Sequence, residues 1–267
     1  MQILFQYLPG WLICMGFVLF SFLLTNIVVK ICRNILSHDK LEKYKDITAL
    51  YVNIIGVLYG IFLAFVVVAI WESYDHTKEN IERETNALGN LYRDAQNLPN
   101  ADRNIIQGDI RTYLYNVVNK EWRSEKNFDE CEESVAANYA LQNYISNFNP
   151  QTKHEEIIYQ MMLSDLNDMG IARRIRVSEN TAEMPLIIWV ILILGAFSLI
   201  IYLGCFYIED IRFHLWLAFG VSGLVAILLF IAFALNYPFT GSTAIPPDSF
   251  QNLLNHTISH IDKYGTK

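Results

Sequence analysis

Residues 47–98 read ITALYVNIIGVLYGIFLAFVVVAIWESYDHTKENIERETNALGNLYRDAQNL, and the division of this stretch decides the fold. Residues 47–71 hold 25 positions without a charge, more than the ~20 a helix needs to cross the hydrocarbon core of a bilayer. The remainder is polar but keeps an apolar stripe. Tyr74, Ile81, Leu88 and Ala95 recur every seven residues, with Leu91 and Leu98 three places after the last two. That heptad-like spacing marks a helix packed along one side. No proline interrupts before Pro99. The pattern predicts one helix from about Ile47 to Leu98, roughly 75 Å long at 1.5 Å per residue, which crosses the membrane and continues beyond it.

Working outward, three more uncharged runs occupy 11–29, 185–208 and 213–235. The chain is 53% hydrophobic and 18% charged, with a mean hydropathy of +0.24. Soluble domains sit near about 45–50% and 25%, so composition excludes a simple soluble enzyme. The apolar blocks equally exclude a disordered chain. Strand-like alternation is absent, and helical spacing recurs through the polar block. Ile106, Ile110, Leu114, Val117 and Val118 follow Asp102, which reads as an N-cap. Ala137, Leu141, Tyr144 and Phe148 precede the Asn149-Pro150 break, and Ile158, Met162, Leu166, Met169 and Ile175 lead toward the third run.

The expected fold is therefore an all-α membrane protein, with four transmembrane helices and an extramembrane helical bundle inserted between spans 2 and 3. The expected segments are a transmembrane hairpin at 1–71, the bundle at 72–184, a second hairpin at 185–235, and a tail at 236–267 with a short amphipathic helix.

Charge is concentrated in the polar block. Residues 73–184 carry 19 Asp and Glu against 12 Lys and Arg, which accounts for the whole net charge of −7. Such an acidic face excludes nucleic acid as a partner, since that affinity comes from cations on phosphates. No Lys or Arg precedes the first run, whereas Lys30 and Arg33 follow it. It reads as a retained first helix, not a secretory signal. The same asymmetry, with five basic residues between 30 and 46, predicts the N-terminus and the bundle outside the cytoplasm. Four cysteines with no Cys-x-x-Cys pair indicate neither a disulfide framework nor a zinc site.

Span 2 carries the most pointed pattern. Ala49, Asn53, Gly56, Gly60, Ala64 and Val67 recur at three and four and share one helix face. Such a face could line a pore, Asn53 offering hydrogen bonds and the glycines leaving width. Equally, Gly56-xxx-Gly60 and Gly60-xxx-Ala64 could be small-residue faces for close helix packing. No Asp, Glu, Lys or Arg lies within a span, which disfavours a carboxylate relay, and His214 is expected at an interface. Arg173, Arg174 and Arg176 could face a vestibule or lipid headgroups, or pair with bundle acids such as Asp165 and Asp168. His256 and His260 have metal-ligand spacing without a third ligand. Glu84, Glu121, Asp165 and Asp168 lack the Glu-x-x-His partners of a di-metal bundle. No phosphate loop or nucleophile elbow can be assembled. The expectation is no catalytic residue, no metal, no cofactor and no enzymatic activity.

The layout also resembles the bestrophin-like family of bacterial membrane proteins of unassigned function. The resemblance covers nearly everything after about residue 45. It is carried by Val57-Leu58-Tyr59-Gly60 and Leu63–Val68 into Trp71; by Glu84–Leu88 with Leu91–Ala95 and Leu98-Pro99; and by Glu121-Trp122. It continues through Arg173–Arg176, Pro185 with Trp189, and Tyr237-Pro238-Phe239-Thr240-Gly241 followed by Pro247 and Phe250. It implies an oligomeric chloride-channel architecture in a bacterial plasma or inner membrane, with span 2 lining the pore. It further implies a cytoplasmic helical domain, opposite to the charge reading. The calcium-binding acidic cluster of animal bestrophins has no counterpart here, where the tail offers Asp248 and then Asp262. Two functions are thus expected. One is a homo-oligomeric ion channel whose partners are the bilayer, further copies of the chain and a small inorganic ion. The other is a non-conducting membrane scaffold or sensor whose bundle binds a partner protein.

Overall fold

A computed structural model describes residues 9–122, 131–181, 184–241 and 243–264. Every regular element among them is helical. The chain forms two compact units, one of residues 1–74 and 183–243, the other of residues 75–182 and 244–267.

The first unit contains α1 (Gly10–Ile35), a short α2 (His38–Lys43), the first part of α3 (Lys45–Asp94), α7 (Leu186–Cys205) and α8 (Ile211–Leu235). Four helices are long and apolar enough to span a membrane: α1, α3 together with its terminal 3₁₀ turn, α7 and α8. Only 17–39% of each span's apolar window is buried, so most of that surface requires lipid or another protein against it. Trp11, Phe20, Phe65, Leu186 and Trp216 are among the exposed side chains.

Where the spans do meet, small residues set the distance. α8 buries His214, Ala218, Ser222 and Ala226 at every fourth position, and α1 faces it with Ser21, whose hydroxyl donates to the Ser222 carbonyl at 2.9 Å. Phe22 and Phe219 stack at 4.8 Å. Two glycines are required by close approach. A Cβ on Gly195 would collide with the Tyr59 ring, and one on Gly204 would lie 2.8 Å from Val28 Cγ1. α3 packs through Tyr59, Leu63, Val66 and Ile70 against Leu192, Ala196 and Leu199 of α7 and Ala232 and Leu235 of α8. The Tyr59 hydroxyl donates to the Leu192 carbonyl at 3.2 Å. After α8 the chain turns at Tyr237–Gly241, where Gly241 adopts φ 78°, a conformation that favours glycine.

The second unit holds the rest of α3, α4 (Asn100–Asn116), α5 (Glu132–Ser146), α6 (Lys153–Thr181), α9 (Asp248–Asn252) and α10 (Ile258–Tyr264). α3 is one continuous helix of 50 residues ending in a 3₁₀ turn, Ala95–Asn97. α4 starts at Asn100 directly after Pro99, and Asp102 lies in its first turn. Asp102 is therefore not the N-cap; its carboxylate accepts from the Tyr144 hydroxyl at 2.8 Å and joins α4 to α5. α4 runs into a π-turn, Val117–Glu121. α6 opens with a capping arrangement in which Thr152 Oγ1 accepts from the Glu155 amide and the Glu155 carboxylate accepts from the Gln151 amide. The tail is part of this unit's core: Ile245, Phe250, Leu253 and Ile258 are buried, and the Trp122 indole donates to the Ile245 carbonyl at 3.0 Å.

Candidate functional site

The small-residue stripe runs along the flank of the α3 face that carries Tyr59, Leu63, Val66 and Ile70. Asn53, Gly60 and Ala64 are exposed, while Gly56 and Val67 are half-buried. A Cβ on Gly60 would meet nothing within 4 Å, and one on Gly56 only Leu199 at 3.9 Å. Packing inside the subunit thus does not require residue 60 to be glycine. Asn53, Gly60 and Ala64 face out of the subunit, whereas Val67 packs against its core.

The bundle holds a second polar feature, wholly enclosed. Arg176 is 0% exposed. Its Nε donates to Glu84 Oε2 at 2.8 Å, and its Nη2 to Glu84 Oε1 at 3.2 Å and to Glu121 Oε1 at 2.6 Å. Glu84 also accepts from the Tyr113 hydroxyl. Glu121 Oε2 accepts from Arg173 Nη2 at 2.8 Å and from the Ser134 hydroxyl. The Arg176 guanidinium lies 5.6 Å from the Trp122 ring centroid and 5.4 Å from that of Phe250. α3, α4, the π-turn, α5, α6 and the tail therefore all contribute to one buried charge cluster. Two carboxylates balance two guanidiniums, and each carboxylate oxygen has a partner, as burial of charge demands. Burial and the adjacent Glu84 push the Tyr113 phenol well above its ordinary range, with Arg176 opposing. Arg173 Nε is buried without a hydrogen-bond partner among the described residues.

The arginine triplet is thus divided. Arg176 is enclosed, Arg173 is mostly covered and Arg174 is exposed. A vestibule or a lipid headgroup could be reached by Arg174, but Arg176 has no surface to offer. The partners are Glu84 and Glu121, not Asp165 and Asp168. A register signal points to this arrangement. Glu84 falls three after Ile81 and four before Leu88; Arg176 falls seven after Met169; Glu121 falls seven after Leu114. Each charge occupies a position that helical spacing assigns to the core.

Asp165 and Asp168 instead line an open groove of about 350 Å³ between α3 and α6, with Asn80, Arg83, Asn86 and Asn90. Asn90 donates to Asp165 at 3.3 Å. Burial raises the Asp165 carboxyl, with Asp168 adding to the effect. Asp94 nearby is also raised by burial, and further by Asp165. Among the described residues no group of three or more His, Cys, Asp or Glu could hold a metal ion. The His256 side chain lies outside the described residues, so the 256/260 pair has no geometry to report. His214 is buried within the protein at the start of α8. Its Nε2 lies 2.9 Å from the Leu203 carbonyl, and its Nδ1 lies 3.3 Å from Arg33 Nη2.

Comparison with known proteins adds the following. The family model for the bestrophin-like domain matches residues 16–250. A point variant of a bacterial bestrophin homologue from Klebsiella pneumoniae superposes with a TM-score of 0.67 at 16% identity, over 92% of this chain and 99% of that one. A second variant from the same organism gives 0.62 at 18% identity, over 93% and 98%. A solved structure described as a membrane protein gives 0.70 at 16%, over 93% and 99%. No functionally curated protein matches in sequence.

Proposed function

This chain belongs to the bestrophin-like family of multi-pass membrane proteins, and from that premise we propose that it is one subunit of a homo-oligomeric ion channel whose pore is lined by α3. The observation that carries the proposal is the two-faced character of α3. One face is buried in the subunit by Tyr59, Leu63, Val66 and Ile70, while Asn53, Gly60 and Ala64 beside it are exposed and a Cβ on Gly60 would meet nothing within 4 Å. Copies arranged around an axis would bring these faces together as a narrow wall, polar at Asn53, with half-buried Gly56 and Val67 beside it. The acidic bundle would concentrate cations at the mouth, whereas the family resemblance points to anions. The basic 30–46 linker supports an orientation with N-terminus and bundle outside the cytoplasm.

The test is native mass in mild detergent followed by flux from liposomes under separate anion and cation gradients. A ring of four or more subunits is expected, with flux that Asn53→Leu and Gly60→Leu abolish without changing the mass. A monomer or dimer that passes no ion of either sign would sink the channel and favour a scaffold or sensor. The α3–α6 groove is then the first surface on which to look for a partner protein. A protease site added to the 30–46 linker, probed in sealed vesicles, reads the orientation.

A further inference from the structure

We propose that Cys32 and Cys205 are a disulfide-forming site, joining the end of α1 to the end of α7 by exchange with a low-molecular-weight disulfide. Their sulfurs lie 3.5 Å apart across 173 positions of sequence, and both side chains are part-exposed. A disulfide is about 2.05 Å long, so the sulfurs must close by roughly 1.5 Å, within the swing of a thiol between χ1 wells.

The backbones already meet at this level. A Cβ on Gly204 would stand 3.2 Å from Cys32 Sγ and 2.8 Å from Val28 Cγ1, so the residue beside Cys205 must be glycine for the helices to approach as they do. Polar contacts on both sides fix the register. Arg33, next to Cys32, donates to the Ile208 carbonyl at 2.6 Å. His214 reaches the Leu203 carbonyl through Nε2, which leaves Nδ1 to accept from Arg33. Leu203 and Ile208 bracket Cys205, so the sulfurs are held in register by groups other than themselves. Cys14 and Cys131 take no part in this contact; Cys131 is buried in the other unit.

The chemistry balances with one co-reactant, a small disulfide RSSR. One protein thiol loses its proton, attacks a sulfur of RSSR to give a mixed disulfide, and expels RS⁻. The second thiol loses its proton, attacks the protein sulfur of the mixed disulfide, and expels another RS⁻. The two protons end on the two RS⁻ groups, so two RSH are formed, the protein pair is oxidised and RSSR is reduced.

The test uses the full-length Cys14→Ser/Cys131→Ser chain in mild detergent. The protein is reduced, desalted, exposed to oxidised glutathione, then denatured and alkylated with a maleimide. We expect both remaining thiols to be protected, a mass lower by about 2 Da with no glutathione adduct, and full return of alkylation after dithiothreitol. Two alkylated thiols, or stable glutathione adducts, would overturn the proposal. Should the double variant misfold, peptide mapping of the oxidised native chain serves instead. A peptide linked through Cys32 and Cys205 supports the site; unlinked peptides, or links to Cys14 or Cys131, refute it.

Discussion

Replacing Arg176 by methionine tests the central claim about the bundle. The substitution keeps a long side chain between Trp122 and Phe250 but removes three hydrogen bonds, at 2.8, 3.2 and 2.6 Å, from two buried carboxylates. Each is charge-assisted, of order ~1.5–3 kcal/mol, and two ring contacts add up to about 2 kcal/mol each when desolvated. The guanidinium's own desolvation offsets most of that sum. What does not cancel is the stranding of Glu84, left with the Tyr113 hydroxyl alone, and breaking a buried pair in this way costs about 3–5 kcal/mol. Native-state hydrogen exchange of the full chain in detergent reads the loss locally. Amides near 81–92 and 166–176 should lose protection by roughly 10²–10³·⁵. Glu84→Gln alone should also destabilise the bundle, by leaving the Arg176 cation with Glu121 as its one carboxylate. The double variant should cost less than the two singles together by at least about 2 kcal/mol, since Arg173 still serves Glu121. Protection within fivefold of wild type in Arg176→Met, or strict additivity in the double variant, would show that Arg176 does not hold these helices together.

Other outcomes follow from the same geometry. Phe250→Ala removes one wall of the Arg176 site and should destabilise the bundle by about 3–5 kcal/mol, read as lost protection around Trp122 and Phe250 together. Gly204→Ala forces a methyl against Val28 and should lower the thermal midpoint of the membrane unit, at a cost of about 1–3 kcal/mol; an unchanged midpoint means the helices do not approach as described. The carboxyls of Asp94 and Asp165 are raised by burial and by like charge. Their contribution to stability is therefore complete below the unfolded value and is lost as pH rises through the folded one. Protection at 86–95 should fall as pH climbs from about 4 toward neutrality, and Asp165→Asn should flatten that slope.

The spans and the long α3 were legible because hydropathy and helical spacing are local properties, readable in windows shorter than the element itself. The tail was harder to read. A short amphipathic helix is expected there, but no local pattern shows that Phe250 meets Trp122, far earlier in the chain. Asp102 has the composition of a cap, yet α4 already starts at Asn100 behind Pro99, freeing the carboxylate for Tyr144. The arginine cluster was half legible. Register alone puts Glu84, Glu121 and Arg176 on inward faces, but which acid meets which base depends on packing across 55 to 92 positions. The stripe on α3 was legible as a pattern. Gly60 and Ala64 are exposed among the described residues, so packing within one subunit does not explain their size.

The position of Phe250 has a consequence for biogenesis. Synthesis makes Glu84, Glu121 and Arg176 first, then both helices of the second transmembrane hairpin, and only afterwards the ring that closes the last side of the Arg176 pocket. A nascent chain that has already delivered all four spans to the membrane still carries a bundle open to water at its most charged point. Chains stalled or truncated before residue 250 should therefore be inserted yet recognisable to quality control, as proteins with finished spans and an unsealed cation.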